Sequence, residues 1–189
     1  MMIAAFMVAA LSANAQNEVG QITLKPMAGI NLATMTDTND GKMRVGLVAG
    51  VEGEYGVSDN FGISAGLLYS MQGVKGKSGN VDMTWKFDYI NIPILANYYV
   101  TKGLAIKAGI QPGFKASAKL KGEAGGQSDE VDIDGAEGFV LAIPLGASYE
   151  FNNFVLDARY NLGVTKAFKE GTDSKHSVIS ITLGYKFAL

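Results

Sequence analysis

Apolar and polar residues alternate with a period of two along most of this chain, and that rhythm dictates β-strands. In 154–168 Phe154, Leu156, Ala158, Tyr160, Leu162 and Val164 fall on one face, while Val155, Asp157, Arg159, Asn161, Gly163 and Thr165 fall on the other. A helix would scatter both sets around its axis; a strand separates them. The same pattern returns in 61–72, 104–115, 139–151 and 177–189, and more weakly in 22–36, 43–56 and 85–100. Eight strands are predicted.

The connections alternate in length. Residues 57–60, 101–103 and 152–153 are short and rich in turn formers, whereas 37–42, 74–84, 120–136 and 169–175 are longer and polar. Tight turns at one end and long loops at the other define an all-β, antiparallel, up-and-down meander, with both termini on the short-turn side. Transmembrane barrels have this form, with short periplasmic turns and longer external loops.

Alternation alone does not say which face points inward, and a soluble lipocalin-like barrel would show it too. Three features favour the apolar face outside. Strands of about 12–15 residues exceed the usual 5–6 of globular sheets and suffice to cross a bilayer when tilted. The polar faces carry mainly small residues and few charges, matching a chain with only 18% charged residues, 24 glycines and 48% hydrophobic residues. Finally, aromatics gather near the strand ends. Tyr69, Trp85, Phe87, Phe114, Phe139 and Phe168 fall near the long loops, and Tyr55, Phe61, Tyr99, Phe151, Phe154, Tyr185 and Phe187 near the short turns. Two aromatic girdles flanking an aliphatic band are the signature of a membrane barrel. The expected domain is therefore a monomeric, eight-stranded transmembrane β-barrel over 16–189, seated in the outer membrane of a Gram-negative bacterium.

Residues 2–11 form a short apolar run, and Ala13-Asn14-Ala15 supplies a small-x-small cleavage pattern, so 1–15 reads as a signal peptide. No Lys or Arg precedes the run. Pro93, Pro112 and Pro144 fall within predicted strands, where a missing N–H suggests bulges. Trp85 and Phe87 share one parity while Ile90, Ile92 and Ile94 share the other, so a bulge near 88–91 is expected to bring them to one face.

Tyr89-Ile90-Asn91-Ile92-Pro93-Ile94-Leu95-Ala96-Asn97-Tyr98-Tyr99 resembles the Y-x-x-I-P-x-L-x-x-Y segment of the PorT-like outer-membrane β-barrel family of Bacteroidetes. Gly29-Ile30-Asn31-Leu32 is similar to that family's first-strand G-x-N-L. The resemblance implies an eight-stranded outer-membrane barrel, inserted by the barrel-assembly machinery, and carries over no catalytic residues. The chain departs from the pattern at its end, where Ala188-Leu189 follow Phe187.

On this arrangement the lumen receives Lys25, Glu52, Glu54, Lys107, Glu150, Asp157, Arg159 and Lys186, all in the periplasmic half. Four acids and four bases in a narrow barrel read as an interlocked ion-pair plug, because an unpaired buried charge is costly. A narrow porin-like path is the competing reading. Function is then expected to be structural, or binding to a surface or periplasmic partner through loops 74–84 and 120–136. His176 is the single histidine, beside Ser177 and near Asp173; adjacent strand residues point to opposite faces, so the pair does not form a nucleophile and its base. A solvated histidine at the loop edge is expected, and a lipid-modifying enzyme is the minor alternative. Asp129, Glu130, Asp132, Asp134 and Glu137 lack calcium-loop spacing and read as a solvated loop. With no cysteine, a net charge of −2 and no phosphate loop, neither a cofactor, a thiolate metal site nor nucleic acid is expected.

Overall fold

The computed structural model describes residues 19–36, 42–78, 81–124, 127–133, 135–168 and 174–189, and every regular element among them is a strand. In chain order these are β1 (Ile22–Met35), β2 (Lys42–Ser58), β3 (Phe61–Ser78), β4 (Val81–Asn91), β5 (Ile94–Thr101) and β6 (Leu104–Ala124). They continue with β7 (Gln127–Asp132), β8 (Phe139–Phe151), β9 (Phe154–Gly163), β10 (His176–Tyr185) and β11 (Phe187–Ala188). All pairings are antiparallel, and β10 returns to pair with β1, from Met27↔Gly184 to Met35↔His176, so the sheet closes on itself.

Eleven strands make eight staves. β4 and β5 are one stave broken at Ile92–Pro93, β10 and β11 are one stave interrupted at Lys186, and β7 pairs only with β6, outside the circuit. The eight-stranded up-and-down barrel is therefore present. The predicted signal peptide lies outside the described residues.

The burial pattern decides the orientation. Along β9, exposed and buried residues alternate without a break, with Leu156 and Leu162 exposed and Asp157, Arg159 and Asn161 buried. Val45, Leu47, Leu67, Ile106, Ile110, Leu145 and Leu183 are also exposed, whereas Asn31, Glu52, Asn97 and Lys107 are buried. A soluble barrel would have this reversed. Each of those aliphatic side chains gains about 1.5–3 kcal/mol by leaving water, which fixes the band in hydrocarbon.

Several local expectations are corrected. Segments 74–84 and 120–136 are largely not loops: β3 and β4 stay paired from Leu68↔Asn91 to Ser78↔Val81, and β6 runs to Ala124 before β7 folds back on it. Their charged residues interrupt the lipid-facing aliphatic rows, because the outer face of this extension meets water. In the opposite sense, β9 stops at Gly163 rather than continuing to 168. Pro112 and Pro144 occupy their ladders without register shifts, and Pro93 falls in the break between β4 and β5. The one bulge near 88–91 sits on β6, where the register steps from Asp88↔Ser117 to Tyr89↔Lys115. β4 keeps its phase, so Phe87 and Tyr89 face the interior while Ile90 faces lipid.

Candidate functional site

The lumen is filled at two levels. In the periplasmic half, five charges from four staves interlock. Lys25 and Glu52 are direct cross-strand neighbours, and Lys25 Nζ donates to Glu52 Oε1 at 2.9 Å. Lys107 Nζ donates to Asp157 Oδ2 at 2.8 Å and lies 3.6 Å from Glu52 Oε1. Arg159 spans both acids, with Nη2 at 2.7 Å from Glu52 Oε2 and Nε at 2.6 Å from Asp157 Oδ1. All five side chains are buried. Gly146 makes room for the guanidinium stem, since a Cβ there would lie 3.0 Å from Arg159 Cγ and 2.4 Å from the Ala158 carbonyl. Nearer the periplasmic mouth, Lys186 Nζ donates to Glu150 Oε2 at 2.9 Å, Tyr99 Oη donates to Glu54 Oε1 at 2.6 Å, and Lys186 lies 5.6 Å from the Tyr99 ring centre. All eight predicted lumen charges thus point inward, in two adjoining groups.

The external half is closed by aromatic and aliphatic groups. Phe87 and Tyr89 are fully buried, and Phe87 packs edge-on against Phe168 at 5.6 Å and His176 at 5.5 Å. Met35, Val74, Ala118, Ala136, Val140 and Ala167 complete this cluster, with Trp85, Ile133 and Phe168 partly buried against it. Tyr89 Oη lies 3.3 Å from His176 Nε2. Arg44, also buried, donates to the Gln72 carbonyl.

Between the two plugs, buried amides and hydroxyls share the interior with the apolar trio Met27, Val48 and Leu68. Asn31 Nδ2 donates to Ser70 Oγ at 2.9 Å and its Oδ1 accepts from Ser180 Oγ at 2.7 Å; Asn161 Nδ2 donates to Ser180 Oγ at 3.0 Å. Asn91 and Gln111 are buried alongside. Small cavities of about 10 and 20 Å³ remain there among the described residues.

The aromatic girdle is corrected accordingly. Tyr55, Phe61, Tyr69, Phe114, Phe139, Phe151, Phe154 and Phe187 lie on the outward face, and Phe114 meets Phe139 edge-on at 5.5 Å. Trp85, Phe87, Phe168 and Tyr99 do not belong to it: the first three build the external plug and Tyr99 turns into the periplasmic mouth. His176 is likewise not a solvated loop-edge residue but is buried inside. The signal is present in the parity of β10, where Ile181 and Leu183 face out and His176, Val178, Ser180 and Thr182 face in. Ser177 points away from it and bonds Tyr160 Oη at 2.9 Å; Asp173 lies outside the described residues.

Beyond the barrel, β3, β4, β6 and β7 form an external sheet with two unlike faces. Met43, Val74, Trp85, Leu120 and Val131 are successive cross-strand neighbours on the face continuous with the lumen. The other face carries the row Lys75–Thr84–Lys121–Glu130 and the pair Lys86–Lys119, with Glu130 bonded by Lys86. That contact holds the exposed Glu130 carboxyl below its ordinary range. Asp129 and Glu130 are on opposite faces, so the acidic run does not converge, and no metal-ligating cluster occurs among the described residues. Asp134 is not described.

Sequence and structure comparisons agree with this geometry. A family model for the outer membrane protein β-barrel domain matches residues 14–169. The fold is similar to that of Ail, the attachment invasion locus protein of Yersinia pestis, at 16% identity and a TM-score of 0.52, over 90% of this chain and 100% of that one. It is also similar to neisserial surface protein A, at 15% identity and a TM-score of 0.55, over 88% of this chain and 97% of that one. No curated protein sequence matches the chain.

Proposed function

Since the chain belongs to the outer membrane protein β-barrel domain family, and so sits in the outer membrane of a Gram-negative bacterium, we propose a monomeric, closed barrel that works through its external sheet. The observation that carries this reading is the double closure of the lumen. An ionic plug and an aromatic plug stand in series, and the cavities between them measure only about 10 and 20 Å³. An eight-stranded barrel has an interior that side chains fill, which leaves the surface as the working part. β3 and β6 extend past the closed circuit and β7 is added outside it, so the chain invests its longest strands in the external sheet.

We assign the barrel no catalytic role, because Ser177 and His176 face opposite sides of β10. The PorT-like affiliation is part of the same proposal. In its motif Tyr89 and Leu95 are buried inward and Pro93 marks the break between β4 and β5, so three of its five recurring positions have a structural task. Insertion by the barrel-assembly machinery accompanies that reading.

Conductance and binding test it. Protein refolded into planar bilayers is expected to give no stepwise current, and neither is a variant lacking one plug, Phe87→Ala with Tyr89→Ala. Stepwise current from the unmodified protein would replace the proposal with the narrow-channel reading. Replacing 117–132 with a short turn is expected to preserve the shift in gel mobility on boiling. Cells displaying the shortened barrel should lose retention on a panel of extracellular-matrix proteins and glycans that retains the full chain; equal retention refutes the external sheet as the binding part.

A further inference from the structure

The chamber between the plugs carries unmet hydrogen-bonding capacity of two opposite kinds. Its lower cavity, about 10 Å³, is lined by polar Arg159, Asn161 and Thr182 together with apolar Met27, Val48 and Leu68, and reaches Asn91 and Gln111. The upper, about 20 Å³, shares Asn91, Gln111 and Asn161 and adds His176 and Gln72. Arg159 Nη1, Asn161 Oδ1, Thr182 Oγ1 and His176 Nδ1 are all buried without a protein partner. Arg159, Asn161 and Thr182 line the lower cavity and Asn161 and His176 the upper; leaving such groups unsatisfied costs about 1–3 kcal/mol each, so both cavities call for an occupant.

The chemistry of the four atoms selects it. Arg159 Nη1 can only donate, so its partner must accept. Asn161 Nδ2 already serves Val178 O and Ser180 Oγ, which leaves Oδ1 as a pure acceptor whose partner must donate. A halide cannot donate, and a metal cation cannot accept from the guanidinium. A small neutral molecule that does both is required. A buried water needs roughly 10–15 Å³ and two to four polar partners, which the lower cavity offers once and the upper once or twice. We propose that the chamber is an internal water site. A short file of ordered waters joins Arg159 in the ionic plug to His176 in the aromatic plug, through the shared amides of Asn91, Gln111 and Asn161. The site does not depend on what the external sheet binds.

Crystals of the refolded protein grown in bromide test this directly. Density for one water within hydrogen-bond distance of Arg159 Nη1 and Asn161 Oδ1, and a second beside His176 Nδ1, is expected, without a bromide anomalous signal. A bromide peak at Arg159 overturns the proposal in favour of an anion site, and a chamber free of density overturns it outright. In Thr182→Val the lower water is expected to be lost or displaced while the upper one stays. Should that variant fail to fold, slow water-to-amide magnetisation transfer at Asn161 and Thr182 in micelles of the unmodified protein supports the waters equally well; its absence counts against them.

Discussion

The two plugs close one lumen with opposite chemistry. In the periplasmic half Glu52 and Asp157 are held by Lys25, Lys107 and Arg159, each charge satisfied only by the others. In the external half Phe87, Tyr89, Val74 and Val140 fill the lumen mainly by packing, with no ion pair among them. The ionic plug is an all-or-none arrangement, because removing one member leaves a buried charge uncompensated. The aromatic plug is a sum of contacts, so its loss scales with the volume removed.

The largest effect is therefore expected from Glu52→Gln, which leaves three cations facing one carboxylate. A cost of about 3–5 kcal/mol is expected, read from the urea midpoint at which the boiling-sensitive band shift is lost in detergent. Adding Lys25→Met should recover a substantial part of it by restoring the balance. If Glu52→Gln is tolerated, the five charges are filler and the contrast between the plugs disappears. Phe87→Ala comes next. Truncating a buried Phe costs about 3–5 kcal/mol, and the lower end is expected here because partly exposed Phe168 and Trp85 can settle into the space. No second substitution in the aromatic plug should rescue it by charge balance, and a rescue of that kind would make the two regions alike.

The same contrast explains what is legible in the sequence. A Lys or Glu cannot face hydrocarbon, so parity alone assigns Lys25, Glu52, Lys107, Asp157 and Arg159 to the lumen. An aromatic ring is at home on either face, so position near a strand end points Trp85, Phe87 and Phe168 to the girdle when they fill the interior. Phe114 and Phe139, with the same signal, do face lipid. Closeness to a loop suggests solvent for His176, although the alternation of Val178, Ser180 and Thr182 puts it inside. The external sheet is hidden for a third reason. Beyond the bilayer the outer face carries Lys75, Lys86, Lys119 and Lys121 in place of a lipid-facing aliphatic row, so the alternation loses its membrane signal and Leu120 to Glu123 read as loop although they pair on both sides.

The smallest effect isolates what burial contributes. Lys86–Glu130 repeats the chemistry of Lys25–Glu52 on the exposed face of the external sheet. Hydrogen bonding and charge from Lys86 lower the Glu130 carboxyl from its ordinary 4.5. A carboxyl depressed by folding adds stability above its unfolded value and loses it as pH falls through the lower, folded one. Acidification below about pH 4.5 should therefore weaken the tie between β4 and β7. Water and salt screen an exposed pair. Lys86→Ala is accordingly expected to leave the urea midpoint of the barrel unchanged and to raise amide exchange only in Gln127–Asp132, with high salt reproducing the effect. Exchange that stays slow in Lys86→Ala would mean that Leu120 and Val131 hold β7 by packing. The external sheet would then resemble the aromatic plug, and charge would be decisive only where water is excluded.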